Sequence, residues 1–112
     1  MHAYMSRYSD NNGEHMTLLD EEQAGQLADL FSALSDPSRV RIIDALLESE
    51  INVGTLAEIV GISESAVSHQ LRTLRQMRLV RGRRQGREVH YVLDDDHVAD
   101  IFRRSLDHIK HD

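Results

Sequence analysis

The segment that most restricts the fold is "NVGTLAEIVGISESAVSHQLRTLRQM", residues 52–77. Leu56, Ile59 and Val60 mark a short apolar helical stripe over about residues 54–60. Gly61 follows, where a left-handed residue is wanted to end a helix. Ser63 can then cap a second helix, in which Val67, Leu71 and Leu74 recur at i, i+4 and i+7. Two helices joined by so short a turn containing a glycine form the helix-turn-helix pattern. Ser65, Ser68, His69, Arg72 and Arg75 fall largely on the other sides of the second helix. Small polar side chains near its start are what a recognition helix offers to base edges.

The flanks complete this unit. Upstream, Asp20 with Gln23 makes a capping box for a helix carrying Leu27, Leu30, Phe31 and Leu34. Asp36 followed by Pro37 starts another, ending near Glu48, with Val40, Ile43 and Leu47 on one face and Ile42 and Leu46 beside them. Downstream, "REVHYVL" alternates as a strand with one buried face, "LVRGRR" is a weaker strand signal, and "RRQGR" reads as the hairpin tip. Arginines at a hairpin tip beside a recognition helix make a wing able to grip phosphates, which places Arg83, Arg84 and Arg87 on DNA. The expected fold is mainly α with a small β-hairpin, a winged helix-turn-helix.

Charge patterning supports a polyanion partner despite a net charge of −6. Residues 1–36 hold seven acids and one arginine, whereas residues 68–87 hold seven arginines and no acid. Salt screens charges beyond roughly 10 Å at ~0.1 M ionic strength, so the patch outweighs the average. The competing reading is a solvated arginine face that merely covers the core. Zero cysteines exclude disulfides and thiolate metal sites. No run of eighteen apolar residues exists, so no membrane partner is expected. The polar residues 1–17 lack an apolar signal core and read as a mobile arm of a cytoplasmic protein, with residues 18–112 as the single domain.

The closing stretch "DDDHVADIFRRSLDHIKHD" concentrates Asp95, His97, His108 and His111. At 100° per residue the three histidines share one narrow stripe, and Asp95 joins it only from a position at or before the N-cap. His97 and His108 stand roughly 16 Å apart along the axis, too far for one ion with bonds of about 2.0–2.1 Å. The four groups converge only if two copies of the helix run antiparallel. Asp95 and His97 of one subunit then meet His108 and His111 of the other, giving two equivalent tetrahedral sites per dimer that suit Zn(II). Val98, Ile101, Phe102 and Leu106 supply apolar surface between the pairs. Helix-dipole matching explains the same composition without metal, since acids favour a helix start and histidines its end by about 0.3–1 kcal/mol each.

Together "LSDPSRVRIIDAL", "VSHQLRTLRQMRLVRGRRQGREVHYVL" and "LDDDHV…DHIKH" resemble the ArsR/SmtB family of winged-helix metal-sensing repressors over about residues 24–111. The last motif is similar to the last-helix site of that family's zinc and cobalt sensors. The resemblance implies a homodimer joined through the terminal helices, with ligands Asp95 and His97 from one subunit and His108 and His111 from the other. It implies that Glu64, Ser65, Ser68 and His69 lie toward the bases, together with Gln70 and Arg72. It also implies a relay from His108 to the backbone near Arg78. A metal-free dimer would bind an inverted-repeat operator, and metal binding would release it to derepress export or sequestration genes. The Cys-x-Cys-type signature of other members is absent; the corresponding region reads "VGTLAEIVG". His2 and His15 leave Ni(II) or Co(II) coordination by the N-terminal arm open. One alternative is a member answering Ni(II), Co(II) or a non-metal signal, its last helix only dimerising. A remote one is a zinc enzyme, but four protein ligands leave no position for water, and no general base or small-molecule substrate pocket is evident.

Overall fold

Helix α1 (Glu21–Ala33) starts at a reciprocal cap: the Gln23 N–H donates to Asp20 Oδ1 at 2.8 Å, and the Asp20 N–H to Gln23 Oε1 at 3.4 Å. The computed structural model describes residues 18–111; the expected arm over residues 1–17, with His2 and His15, lies outside them. Helix α2 (Pro37–Leu46) follows the anticipated signal, with the Arg39 N–H donating to Asp36 Oδ2 at 3.1 Å and Pro37 in the first turn. It stops short of Glu48, and its buried residues are Ile42, Ile43 and Leu46. Val40 and Leu47 are only half-buried, so the apolar face is turned from the expected Val40–Ile43–Leu47 line toward Ile42.

The helix-turn-helix consists of α3 (Val53–Val60) and α4 (Glu64–Gln76). Gly61 ends α3 at φ +79°, the left-handed value that favours a residue without a Cβ. The Ser63 hydroxyl caps α4 by accepting from the Ala66 N–H at 3.0 Å. Leu56 and Val60 on α3, and Val67, Leu71 and Leu74 on α4, join Ile42, Ile43 and Val80 in one core. That shared core fixes the attitude of α4 relative to the rest of the chain.

After α4 come β2 (Val80–Gln85), β3 (Glu88–Leu93) and α5 (Asp96–Lys110). Strands β2 and β3 pair antiparallel from Val80↔Leu93 to Gln85↔Glu88. The tip is therefore only Gly86–Arg87, with Gly86 at φ +64°, the backbone sign that a type II′ hairpin turn requires at its first central residue. Arg83 and Arg84, expected at the tip, lie within the strand. The sheet also exceeds a bare hairpin: β1 (Ile51–Asn52) pairs with β3, Ile51 opposite Tyr91 and Asn52 opposite His90. Two residues are too few to carry an alternating pattern, which is why β1 has no signature in the sequence.

The terminal helices are loosely tied to this core. Helix α1 buries only Ala33, and α5 only Val98. Among the described residues, no helix is long and apolar enough to cross a membrane.

Candidate DNA-reading head, wing and metal centre

On α4, burial of Val67, Leu71 and Leu74 turns the opposite stripe outward. Ser65, Ser68, His69 and Arg72 lie at i, i+3, i+4 and i+7 on that stripe, and all are exposed, as is Arg75. Hydroxyl, imidazole and guanidinium groups can donate to or accept from base edges, arginine pairing best with guanine O6 and N7. Glu64 is exposed at the head of the helix, and its carboxylate lies over the first turn of α3; a Cβ on Gly54 would stand 3.8 Å from Glu64 Oε2. Gln70 differs from the others. It is half-buried, and its Oε1 accepts a 2.8 Å hydrogen bond from Arg39 Nη1. Arg39 was not singled out in the sequence, although its place three residues after the Asp36 cap put it at the start of α2.

In the wing, Arg81, Arg83, Arg84 and Arg87 are all exposed. Strand alternation separates Arg83 from Arg84, so the two side chains leave opposite faces. Arg83 Nη2 lies 3.1 Å from Glu50 Oε2, and the Gln85 amide donates to the same carboxylate. The Asn52 amide donates to Glu88 Oε2 at 2.7 Å, while Asn52 Oδ1 caps α3 by accepting from the Thr55 N–H at 2.8 Å. Glu50 and Asn52 thus fasten the wing beside the helix-turn-helix. The expectation that these arginines lack a compensating acid is corrected: Glu50 supplies one from outside the arginine-rich segment. Gly82 lets the two strands approach, since a Cβ there would come within 3.0 Å of Val89 Cγ1.

On α5, Asp95 is the N-cap, within the expected position at or before the helix start. Its Oδ1 accepts from the Val98 N–H at 3.2 Å and lies 3.6 Å from His97 Nδ1. At the far end, the His111 Nδ1 lies 2.7 Å from the Asp107 carbonyl oxygen, a contact in which the ring N–H donates. His97, His108 and His111 are all exposed. Among the described residues, no three His, Asp or Glu side chains of the single chain converge to hold a metal. The donor chemistry nevertheless fits a shared site. The Nδ1 bond of His111 leaves Nε2 as the free lone pair, the arrangement common to metal-bound histidines. Asp95 keeps one carboxylate oxygen outside its capping bond. Arg78, the expected end of the relay, sits just past α4 at φ +58°.

Between α1, α2 and α5 runs an apolar cleft of about 340 Å³, lined by residues including Phe31, Leu34, Val98, Ile101, Phe102 and Ile109. Phe31 is 57% exposed and Ile109 71%. Val98 of the expected contact surface faces the chain's own core, whereas Ile101 is exposed and Phe102 and Leu106 are half-buried.

Residues 36–81 match the family described as "Bacterial regulatory protein, arsR family". The chain is 53% identical over 89 residues to the transcriptional repressor SmtB homolog of Synechocystis, spanning 80% of this chain and 67% of that protein. It is 44% identical over 93 residues to the HTH-type transcriptional regulator NmtR of Mycobacterium tuberculosis, 83% of this chain and 78% of that one. The solution structure of apo-NmtR superposes with a TM-score of 0.72 at 40% identity, covering 91% of this chain and 86% of that chain. A homodimeric winged helix-turn-helix DNA-binding domain, Mb0332 of Mycobacterium bovis, gives 0.73 at 27% identity, over 86% and 93%. These relatives are regulators of transcription, not enzymes. The chain belongs to the ArsR family of winged helix-turn-helix transcriptional regulators.

Proposed function

We propose that this protein is a metal-responsive repressor, working in the cytoplasm as a homodimer on an inverted-repeat operator. The observation that carries this reading is the division of donors on α5. Asp95 and His97 occupy one end and His108 and His111 the other, on one stripe, with the capping and carbonyl bonds leaving the ligating atoms free. The open cleft beside α5 accepts a second copy, and antiparallel packing of the two last helices gives each site its missing half. Zn(II) suits one carboxylate and three imidazoles, two sites per dimer, and supplies when bound a charged cross-link between subunits.

The chain's own residues do the rest. Ser65, Ser68, His69 and Arg72 read bases, with Glu64 at the head of the helix and Arg75 beside them. Arg84 and Arg87 hold flanking phosphates, and Arg83 adds to them when released from Glu50. His108 carries the state of the site toward Arg78 at the end of α4. Taking the dimer from 1:99 to 99:1 in favour of the released form needs roughly 10⁴-fold differential affinity, about 5.5 kcal/mol. DNA must weaken metal binding by the same factor as metal weakens DNA binding.

The test is fluorescence anisotropy of a palindromic duplex, selected with the metal-free protein, titrated with Zn(II), Co(II) and Ni(II) in turn. Metal should release the duplex, and His108→Ala should abolish the release while metal-free binding stays within about threefold. Metal affinity should fall as pH is lowered, because protons compete for imidazole. A second reading has its own support: Asp95 as the N-cap, Asp96 in the first turn, and His108 with Lys110 in the last turn match the helix dipole without any ion. Under it the last helix only dimerises and another signal is sensed. Equilibrium dialysis separates the two, retaining one metal per protomer or none.

A further inference from the structure

Arg39 joins three elements at once. Its Nε donates to the Ala33 carbonyl and its Nη2 to the Ser32 carbonyl at 3.3 Å, both at the C-terminal end of α1. Its Nη1 donates to Gln70 Oε1 at 2.8 Å, on α4. The side chain springs from the first turn of α2, where the Asp36 cap already holds its backbone N–H. The last carbonyls of a helix have no partner within it, and a cation there is favoured by the helix dipole. Helix α1 has no basic residue of its own in its last turn. A guanidinium has a planar fork of donors, so three acceptors in fixed directions hold it in one orientation.

The pairing also explains Gln70. Ser68, His69 and Arg72 on α4 offer their side chains to solvent, while the half-buried Gln70 meets a cation that is itself bonded to α1. The two helices otherwise have little direct connection, since α1 buries only Ala33 in the common core. We propose that Arg39, with Gln70 as its acceptor, is a positioning residue that sets the angle between α1 and the DNA-reading helix α4. If α1 contributes to the dimer contact, the tie fixes how far apart and at what tilt the two reading heads stand. This rests on the dimeric DNA-binding reading above. It adds a connection to α4 through Gln70, separate from the proposed relay between His108 and Arg78.

Angle matters to a matched pair of half-sites and hardly at all to disordered phosphate contacts. The experiment therefore compares two duplexes at one salt concentration: a palindromic duplex selected from a random pool with the wild-type protein, and a scrambled duplex of equal length. Full-length Arg39→Lys keeps the charge and loses the fork; Gln70→Leu keeps the bulk and loses the acceptor. Each should weaken the selected duplex about tenfold and change the scrambled one less than twofold. The double variant should be no weaker than the worse single variant, because both remove the same tie.

Equal loss on both duplexes would show a general stability effect and overturn the proposal. So would losses that multiply in the double variant, because Gln70 would then act on bases independently of Arg39. If Arg39→Lys fails to fold, Gln70→Leu alone must lower the discrimination ratio while its thermal midpoint stays near that of wild type; unchanged discrimination refutes the tie. Failure of the DNA-binding reading is distinct: wild-type protein would then select no duplex at all.

Discussion

Arg78 is the residue where local conformation and side-chain type disagree. It follows the C-cap of α4 with φ +58°. Its N–H bonds to the Arg75 carbonyl at 3.0 Å, and the Leu79 N–H to the Leu74 carbonyl at 2.9 Å. That bond pair is the Schellman arrangement, which normally places glycine at this position. A left-handed residue with a Cβ costs roughly 1–2 kcal/mol, partly offset by the extra unfolded-state freedom of glycine. Arg78→Gly should therefore raise stability by about 0.5–1 kcal/mol, read as a higher urea midpoint with unchanged slope. The contrast with Gly61 shows what a sequence displays at this scale. Glycine announces a left-handed site because it is the residue that adopts one freely, whereas an arginine there gives no sign. The Arg39 contacts were hidden for a related reason: the cap at Asp36 is local, but the choice of Gln70, thirty-one residues away, is made by tertiary packing.

At the scale of elements, the wing divides its arginines into free and occupied. Among the described residues, Arg84 bonds only the nearby Gly86 carbonyl at 3.4 Å, whereas Arg83 is held by Glu50. An exposed ion pair of this kind contributes about 0–1 kcal/mol, enough to compete with a phosphate but not to forbid one. Each phosphate neutralised on duplex DNA contributes about −0.9 to the slope of log affinity against log salt. Arg84→Ala should lower the magnitude of that slope by about one, and Arg83→Ala by clearly less. Glu50→Gln should raise it, measured by titrations at several salt concentrations. The helices and both long strands were legible from periodicity and caps because each carries its signal within a dozen residues. Strand β1 was not, since Ile51 and Asn52 become a strand only by lying against Tyr91 and His90. Sequence likewise shows arginines crowded between residues 81 and 87, yet not that Glu50 would fold back onto one of them.

For the whole molecule, the two helices that bracket the reading unit leave apolar side chains outside. Phe31 on α1, and Ile101 and Ile109 on α5, remain exposed around the cleft, and Leu27 on α1 is exposed as well. An aspartate at Phe31 should push sedimentation toward the monomer and abolish binding to the selected palindromic duplex. Far-UV dichroism should stay unchanged, because Phe31 lies outside the buried core. Donor spacing along α5 was readable from residue numbers and helix rise alone. The subunit arrangement that would unite those donors was not, because a single chain carries only half of each proposed site.

The cleft beside α5 also ties abundance to endurance. Whatever binds only the folded form raises its resistance to unfolding by mass action, and in the proposed homodimer the binder is a twin of the molecule itself. Dilution should therefore lower the melting temperature, and newly made copies should be most vulnerable to proteases while they are scarce. Such a protein would set its own threshold level in the cell before any operator or ion is involved.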